Sequence, residues 1–228
     1  AAACRAVPVI TTATDAHGIF AVDEWAVRQN CAVAEPERIK YVSSALLAGE
    51  PVRYFSDWRI AGEPPTGVQP AACAAQADFA LTLTPVGDAL HIVPRVVVLG
   101  VGCKRGTTAH QLEKALTAFC AANGLAPQSI AAAASIDLKK EEPGLLQFAK
   151  THGWTLEFYT SEALRAVPGR FTASHFVKEI TGVDNVCERA AVKAAGGQLF
   201  VPKWANNGVT LAAALRPFAP DWRWKTDG

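Results

Sequence analysis

Apolar residues run along this chain in two rhythms. Beyond residue 94, short apolar runs alternate with stretches whose apolar positions recur every three or four residues. Residues 96–99, Ile130–Ile136 and Thr155–Tyr159 read as strands. Residues 107–123 predict a helix that puts Leu112, Leu116, Phe119 and Cys120 on one face and stops at Gly124, and residues 142–151 predict a second. Ser161-Glu162 caps a short helix, and 173–181 and 186–195 predict two more. Residues 199–202 and 209–213 close the pattern as strands around Asn206-Asn207-Gly208, a strong turn signal. Strand–helix alternation of this kind predicts an α/β fold, a three-layer α/β/α sheet.

The first part is less regular. Residues 7–10 read as a strand that runs into Thr11-Thr12-Ala13-Thr14-Asp15, a loop at a strand's carboxyl end, where Thr12, Thr14 and Asp15 are candidate binding groups. A short helix is expected over 23–29, and a clearer one opens at Glu35-Pro36, carries Ile39, Val42, Leu46 and Leu47, and ends at Gly49. Residues 51–55 read as a strand and the Pro- and Gly-rich stretch 62–72 as loop. Residues 80–84 and 89–93 read as a hairpin around 85–88. The change of rhythm places a boundary near Pro94. It divides a smaller α/β linker region (1–93), with the remnant of an N-terminal α/β domain, from a C-terminal α/β domain (94–218) and an irregular tail (219–228). Neither an internal repeat nor a low-complexity tract is visible.

Composition narrows the functional classes. The formal net charge of +1 gives no electrostatic case for nucleic acid or an anionic membrane surface. No stretch reaches 18 apolar residues free of charge, so no membrane span is expected. The six cysteines show no CxxC pair and no zinc spacing, which predicts reduced, mostly buried thiols and a cytoplasmic protein. The five histidines share no ligand spacing, so no protein-bound metal is expected. The absence of methionine and a start resembling the last turns of a helix predict a processed chain or a fragment.

Three segments could carry chemistry. Gly100-Val101-Gly102-Cys103-Lys104-Arg105-Gly106-Thr107 follows a buried strand and precedes a helix. Its glycines, free helix N–H groups and two cations suit an anion, although it is neither a Walker loop nor a GxGxxG turn. The bland alternative is a tight strand-to-helix turn. Cys103 would have a lowered thiol pKa beside those cations, but a small half-buried turn residue explains it better. Ser135-Ile136-Asp137-Leu138-Lys139-Lys140-Glu141-Glu142 ends the next strand, and in a parallel sheet it would open beside the Gly102 turn. Ser135 and Asp137 could bond a ligand or move a proton and Lys139 could hold a carboxylate, or Asp137 could simply cap a helix. In Asp184-Asn185-Val186-Cys187-Glu188, capping is again the plain reading, while Glu188 is a candidate acid or base if it faces a cleft.

These segments, with Pro8-Val9-Ile10-Thr11-Thr12, Ala21-Val22-Asp23-Glu24-Trp25-Ala26 and Val201-Pro202-Lys203, resemble in order the middle and C-terminal regions of the cobalamin biosynthesis protein G family, from about residue 7 to about 215. The family's N-terminal region, with its Gly-Gly-His-type loop, has no counterpart here. The resemblance implies a cobalt-precorrin-5A hydrolase. This enzyme of anaerobic vitamin B12 synthesis opens the δ-lactone of its corrinoid substrate and releases acetaldehyde, a carbon–carbon cleavage, to give cobalt-precorrin-5B. Cobalt arrives inside the substrate, so no cofactor is implied. Carried onto this chain, it implies catalytic roles for Glu188 or Asp137 as base, with Lys104 and the amides of 102–106 steadying negative charge. Gly102, Cys103, Arg105, Gly106, Thr107, Ser135, Lys139, Asp184, Asn185, Thr12, Thr14 and Asp15 would bind the substrate. It leaves room for a homodimer, for association with other corrin-pathway enzymes, and for a fusion with a tetrapyrrole methyltransferase. A corrinoid-binding or carrier protein without catalysis is the competing class.

Overall fold

The irregular first part condenses around aromatic side chains contributed by both ends of the chain. The structure is a computed structural model and describes residues 18–85, 87–173, 179 and 181–225. The strand expected at 7–10, with Thr12, Thr14 and Asp15, and most of the helix expected at 173–181 lie outside the described residues. Residues 18–82, 87–93 and 219–225 form one compact unit and 83–85 and 94–218 the other.

In the first unit α1 (Val22–Arg28) precedes β1 (Cys31–Val33), and α2 (Ile39–Leu47) follows a short 3-10 turn at Pro36–Arg38. Then come β2 (Val52–Ser56), β3 (Val68–Pro70), β4 (Phe79–Leu81) and β5 (Leu90–Pro94), in the sheet order β1-β5-β4-β2-β3. Two expectations are corrected. The stretch 62–72 is not all loop, because β3 pairs with β2. The hairpin is absent: β4 and β5 are parallel neighbours, with Ala80 opposite His91. A strand as short as β4 is about 10 Å long, so the short connection to β5 has little length to recover. Trp25 is fully buried, stacks on Trp222 at 5.2 Å, and donates its ring N–H to the Asp221 carbonyl at 2.6 Å. Residues 220–222 thus belong to this core, held also by the Ala61 N–H on the Pro220 carbonyl at 2.8 Å.

The second unit follows the alternation of the sequence. Its elements are β6 (Val97–Cys103), α3 (Ala109–Asn123), β7 (Ile130–Ile136), α4 (Pro143–Thr151), β8 (Thr155–Tyr159), α5 (Ser161–Arg165), α6 (Cys187–Ala195), β9 (Gln198–Asn206) and β10 (Val209–Leu215). The sheet order is β8-β7-β6-β10-β9. Strands β6, β7 and β8 are parallel, and β10 runs antiparallel to both β6 and β9. Helices cover both faces, with α6 on one and α3 and α4 on the other, the three-layer arrangement expected. A Thr108–Gln111 capping box starts α3 and left-handed Gly124 ends it.

Small residues let α6 lie close to the sheet. A Cβ on Gly100 would stand 1.8 Å from the Cys187 carbonyl oxygen. Gly100 and Gly102 are therefore strand residues and not part of a turn. Strand β6 continues to Cys103, and the turn itself is Lys104 to Thr107, with Gly106 at φ +76°.

A cation-rimmed cavity as the candidate functional site

Parallel β6 and β7 deliver their carboxyl ends to the same edge of the sheet. The β9–β10 hairpin reaches that edge from the other side, because Val209 pairs with both Cys103 and Asn206. Its turn residues Asn207 and Gly208 have φ of 48° and 81°, the type I′ geometry that Asn-Gly predicts. Between this edge and the amino end of α6 lies a cavity of about 830 Å³.

Of the residues expected to act, the cavity gathers Gly102, Cys103, Lys104, Arg105, Ser135, Lys139 and Asn185. Glu188, Asp137, Gly106, Thr107 and Asp184 do not line it. Lys203 and the turn Asn206-Asn207-Gly208 do, and the site reading of the sequence omitted them. In the sequence Asn206-Asn207-Gly208 signals a turn and nothing more, and Lys203 stands out only in the string Val201-Pro202-Lys203. Nothing local signals that an antiparallel hairpin returns to the ends of parallel strands.

The two loops after β6 and β7 are tied together by Glu142. Its carboxylate accepts from the Gly106 N–H at 2.6 Å and from Lys139 Nζ at 3.4 Å. The Gly106 bond, with Lys139 and Arg105, holds the Glu142 carboxyl below its usual pKa against the opposing effect of burial. A Cβ on Gly144 would come within 2.0 Å of the Thr107 carbonyl, so the contact requires glycine. Two of the amides expected to steady charge are occupied, Lys104 N–H by the Gly208 carbonyl and Gly106 N–H by Glu142, and just beyond them Thr107 N–H donates to the Lys104 carbonyl. Ser135 is buried and donates to the Val101 carbonyl at 2.7 Å. Burial pushes the Cys103 thiol up, with Lys139 offsetting part of the effect, which corrects the lowered pKa drawn from its neighbours in sequence.

Glu188 is fully buried. It accepts from Thr172 N–H and Thr172 Oγ1, both at 2.8 Å, and from Lys203 N–H at 2.6 Å. Asn185 completes the clasp, donating to the Thr172 carbonyl at 2.9 Å and accepting from Glu188 N–H at 2.8 Å. Asp184 pairs with Arg189 at 2.9 Å. Asp137 stands half-buried between the lining residues Ile136 and Leu138, and its carboxylate makes no hydrogen bond or ion pair among the described residues.

The lining carries Lys104, Arg105, Lys139 and Lys203 but, among the described residues, no carboxylate and no imidazole. Only Lys139 has an ion-pair partner among those residues. Among them no cluster of His, Cys, Asp and Glu could hold a metal, and no helix is long and apolar enough to cross a membrane.

These features define a class: an α/β unit with an apolar, cation-rimmed cavity at its strand ends, suited to a polyanion with an apolar body. The chain belongs to the family described as cobalamin synthesis G C-terminus, whose model matches residues 97–214. The cobalamin biosynthesis central region matches residues 20–80. A cobalt-precorrin-5A hydrolase of Priestia megaterium is 28% identical over 96% of this chain. That of Salmonella typhimurium strain LT2 is 32% identical over 91% of it. The chain spans 64% of the length of each. The solved structure of CobE, a protein from the cobalamin (vitamin B12) biosynthetic pathway, is 29% identical with a TM-score of 0.50. It covers 54% of this chain and 92% of its own.

Proposed function

We propose that this chain belongs to a cobalt-precorrin-5A hydrolase and supplies the cavity that holds the substrate during lactone opening. The observation that carries the reading is the cavity, whose four cations stand on three segments with one carboxylate partner among the described residues. The resemblance to two hydrolases over most of the chain supports it. A corrinoid intermediate brings acetate and propionate carboxylates for the rim and a flat apolar body for the interior.

In this reading water adds to the lactone carbonyl and Asp137, at the end of β7, takes its proton. Lys104 steadies the negative charge that gathers on the carbonyl oxygen. Ring opening leaves a carboxylate and frees an alkoxide. The alkoxide collapses to the carbonyl of acetaldehyde as the carbon–carbon bond breaks, and the macrocycle takes the electron pair and then a proton. Glu188 acts as a brace, because its oxygens already accept three hydrogen bonds, two from Thr172 and one from the main chain of Lys203. The protein works beside other enzymes of corrin synthesis in the cytoplasm.

The second reading is a corrinoid carrier, favoured by the coverage of nearly all of CobE by this chain. Titration with a cobalt-corrinoid intermediate, followed by absorbance and by an aldehyde assay on the same sample, separates the two. Binding with aldehyde release establishes the hydrolase, and loss of release in Asp137→Asn but not in Glu188→Gln establishes the roles. Binding without release favours the carrier. A folded chain that binds nothing overturns both.

A further inference from the structure

We infer that Lys203 determines specificity in this cavity, holding a carboxylate at one end of a wide polyanion whose other carboxylates meet Lys139 and the Lys104–Arg105 turn. This rests on the substrate reading above and adds a width to it. Lys139 follows β7 and Lys203 sits on β9, with β6 and β10 between them. Neighbouring strands are about 4.8 Å apart, so the two strand positions are about 14 Å apart across the sheet edge. A single phosphate gathered by Lys104 and Arg105 would leave Lys203 unused. A tetrapyrrole, with carboxylate arms around a disc, spans the interval.

Lys203 faces this task for structural reasons. Its neighbour Trp204 packs on Phe119 of α3, at 6.0 Å between ring centres, whereas Lys203, at an irregularity of the β9–β10 pairing, lines the cavity together with Cys187 at the start of α6. Its charge is felt there by the Cys187 thiol, which burial has pushed up to about 11. Its main chain is pinned, because the buried Glu188 carboxylate accepts its N–H and is itself clamped by Thr172. Glu188 is thus a positioning residue for Lys203. Leu138, 64% exposed at the rim, and Ile136 offer apolar surface to the body between the charged arms.

The test compares wild type, Lys203→Met and Lys203→Arg, each checked for an unchanged melting temperature. Two probes are titrated: uroporphyrin, a metal-free tetrapyrrole polycarboxylate, and cobyrinic acid, a cobalt corrinoid polycarboxylate. Inorganic phosphate serves as competitor. The main-chain bond to Glu188 survives both substitutions, so the fold is not at stake. Lys203→Met should weaken both probes about tenfold, the worth of one charge-assisted hydrogen bond. Lys203→Arg should restore binding, and millimolar phosphate should compete poorly. Equal affinity in wild type and Lys203→Met overturns the role of Lys203 and leaves the substrate reading standing. Uroporphyrin bound through Lys203 with cobyrinic acid refused does the reverse. Refusal of both probes overturns both.

Discussion

Each unit of this chain contains a hollow, and the two differ in what happens to their charges. The first unit has one of about 410 Å³ whose charged lining is Arg38, Asp78 and Asp88, all ion-paired, and Glu50, a single exposed carboxylate with no ion-pair partner among the described residues. Arg38 meets Asp88 at 3.1 Å, and Asp78 meets Arg53 at 3.4 Å. His91 and Glu35 in the same unit are similarly paired at 3.0 Å. In the second unit Lys104, Arg105 and Lys203 converge without a carboxylate partner among the described residues. Paired charges satisfy themselves and ask for nothing further. Cations held together at a concave surface repel one another, and an anionic ligand relieves the repulsion. The site is marked less by the presence of charge than by charge left uncompensated.

The contrast can be broken most severely at the sheet. Gly100→Ala should cost about 3 kcal/mol, because its Cβ meets the Cys187 carbonyl with no flexible atom to yield. Calorimetry should show a transition of the second unit moved down and that of the first unmoved. A smaller effect sharpens the contrast directly. Neutralising Lys104 and Arg105 together should lower affinity for a polycarboxylate about a hundredfold with little change in melting temperature. Arg38→Met in the other hollow should leave binding alone and barely change stability, since its partner Asp88 is exposed.

Smaller again is Glu142→Gln. The folded carboxyl titrates below its usual range, so its contribution is complete above that range and is lost as pH falls through the lowered value. The variant should be less stable than wild type at neutral pH, by about 1–2 kcal/mol. Melting curves should converge as the solution is acidified below about pH 4. Least in energy is a labelling order. Exposed Cys73 should react with iodoacetamide before Cys103, whose thiol burial has raised, while Cys120 and Cys187, both pushed up to about 11, wait for unfolding.

The bounds of β7 and β8 are legible in the sequence: β7 is an apolar run and β8 mixes apolar and polar residues, and turn residues bound both. Helix α3 was legible through its face and its Gly124 stop. Direction was not legible, since the residues of β4 and β5 fit a parallel or an antiparallel neighbour equally well. The sequence predicts only 199–202 of β9, because Lys203 and Asn206 are polar, as suits the last strand of a sheet. In the site, strand ends and cations could be located from spacing, so Lys104, Arg105 and Lys139 were found. Glu188 shows the other limit. A carboxylate at a helix start has the same spelling whether it faces a ligand or accepts Thr172 and Lys203, and only the fold decides.

The return of residues 219–225 to the first unit has a consequence for the newborn chain. The partners that Trp25 needs, Asp221 and Trp222, leave the ribosome only after the whole of the second unit. Domains commonly finish in the order of synthesis. Here the order inverts: the second unit can close while the first, made earlier, still waits with an unsealed aromatic core for its final strap.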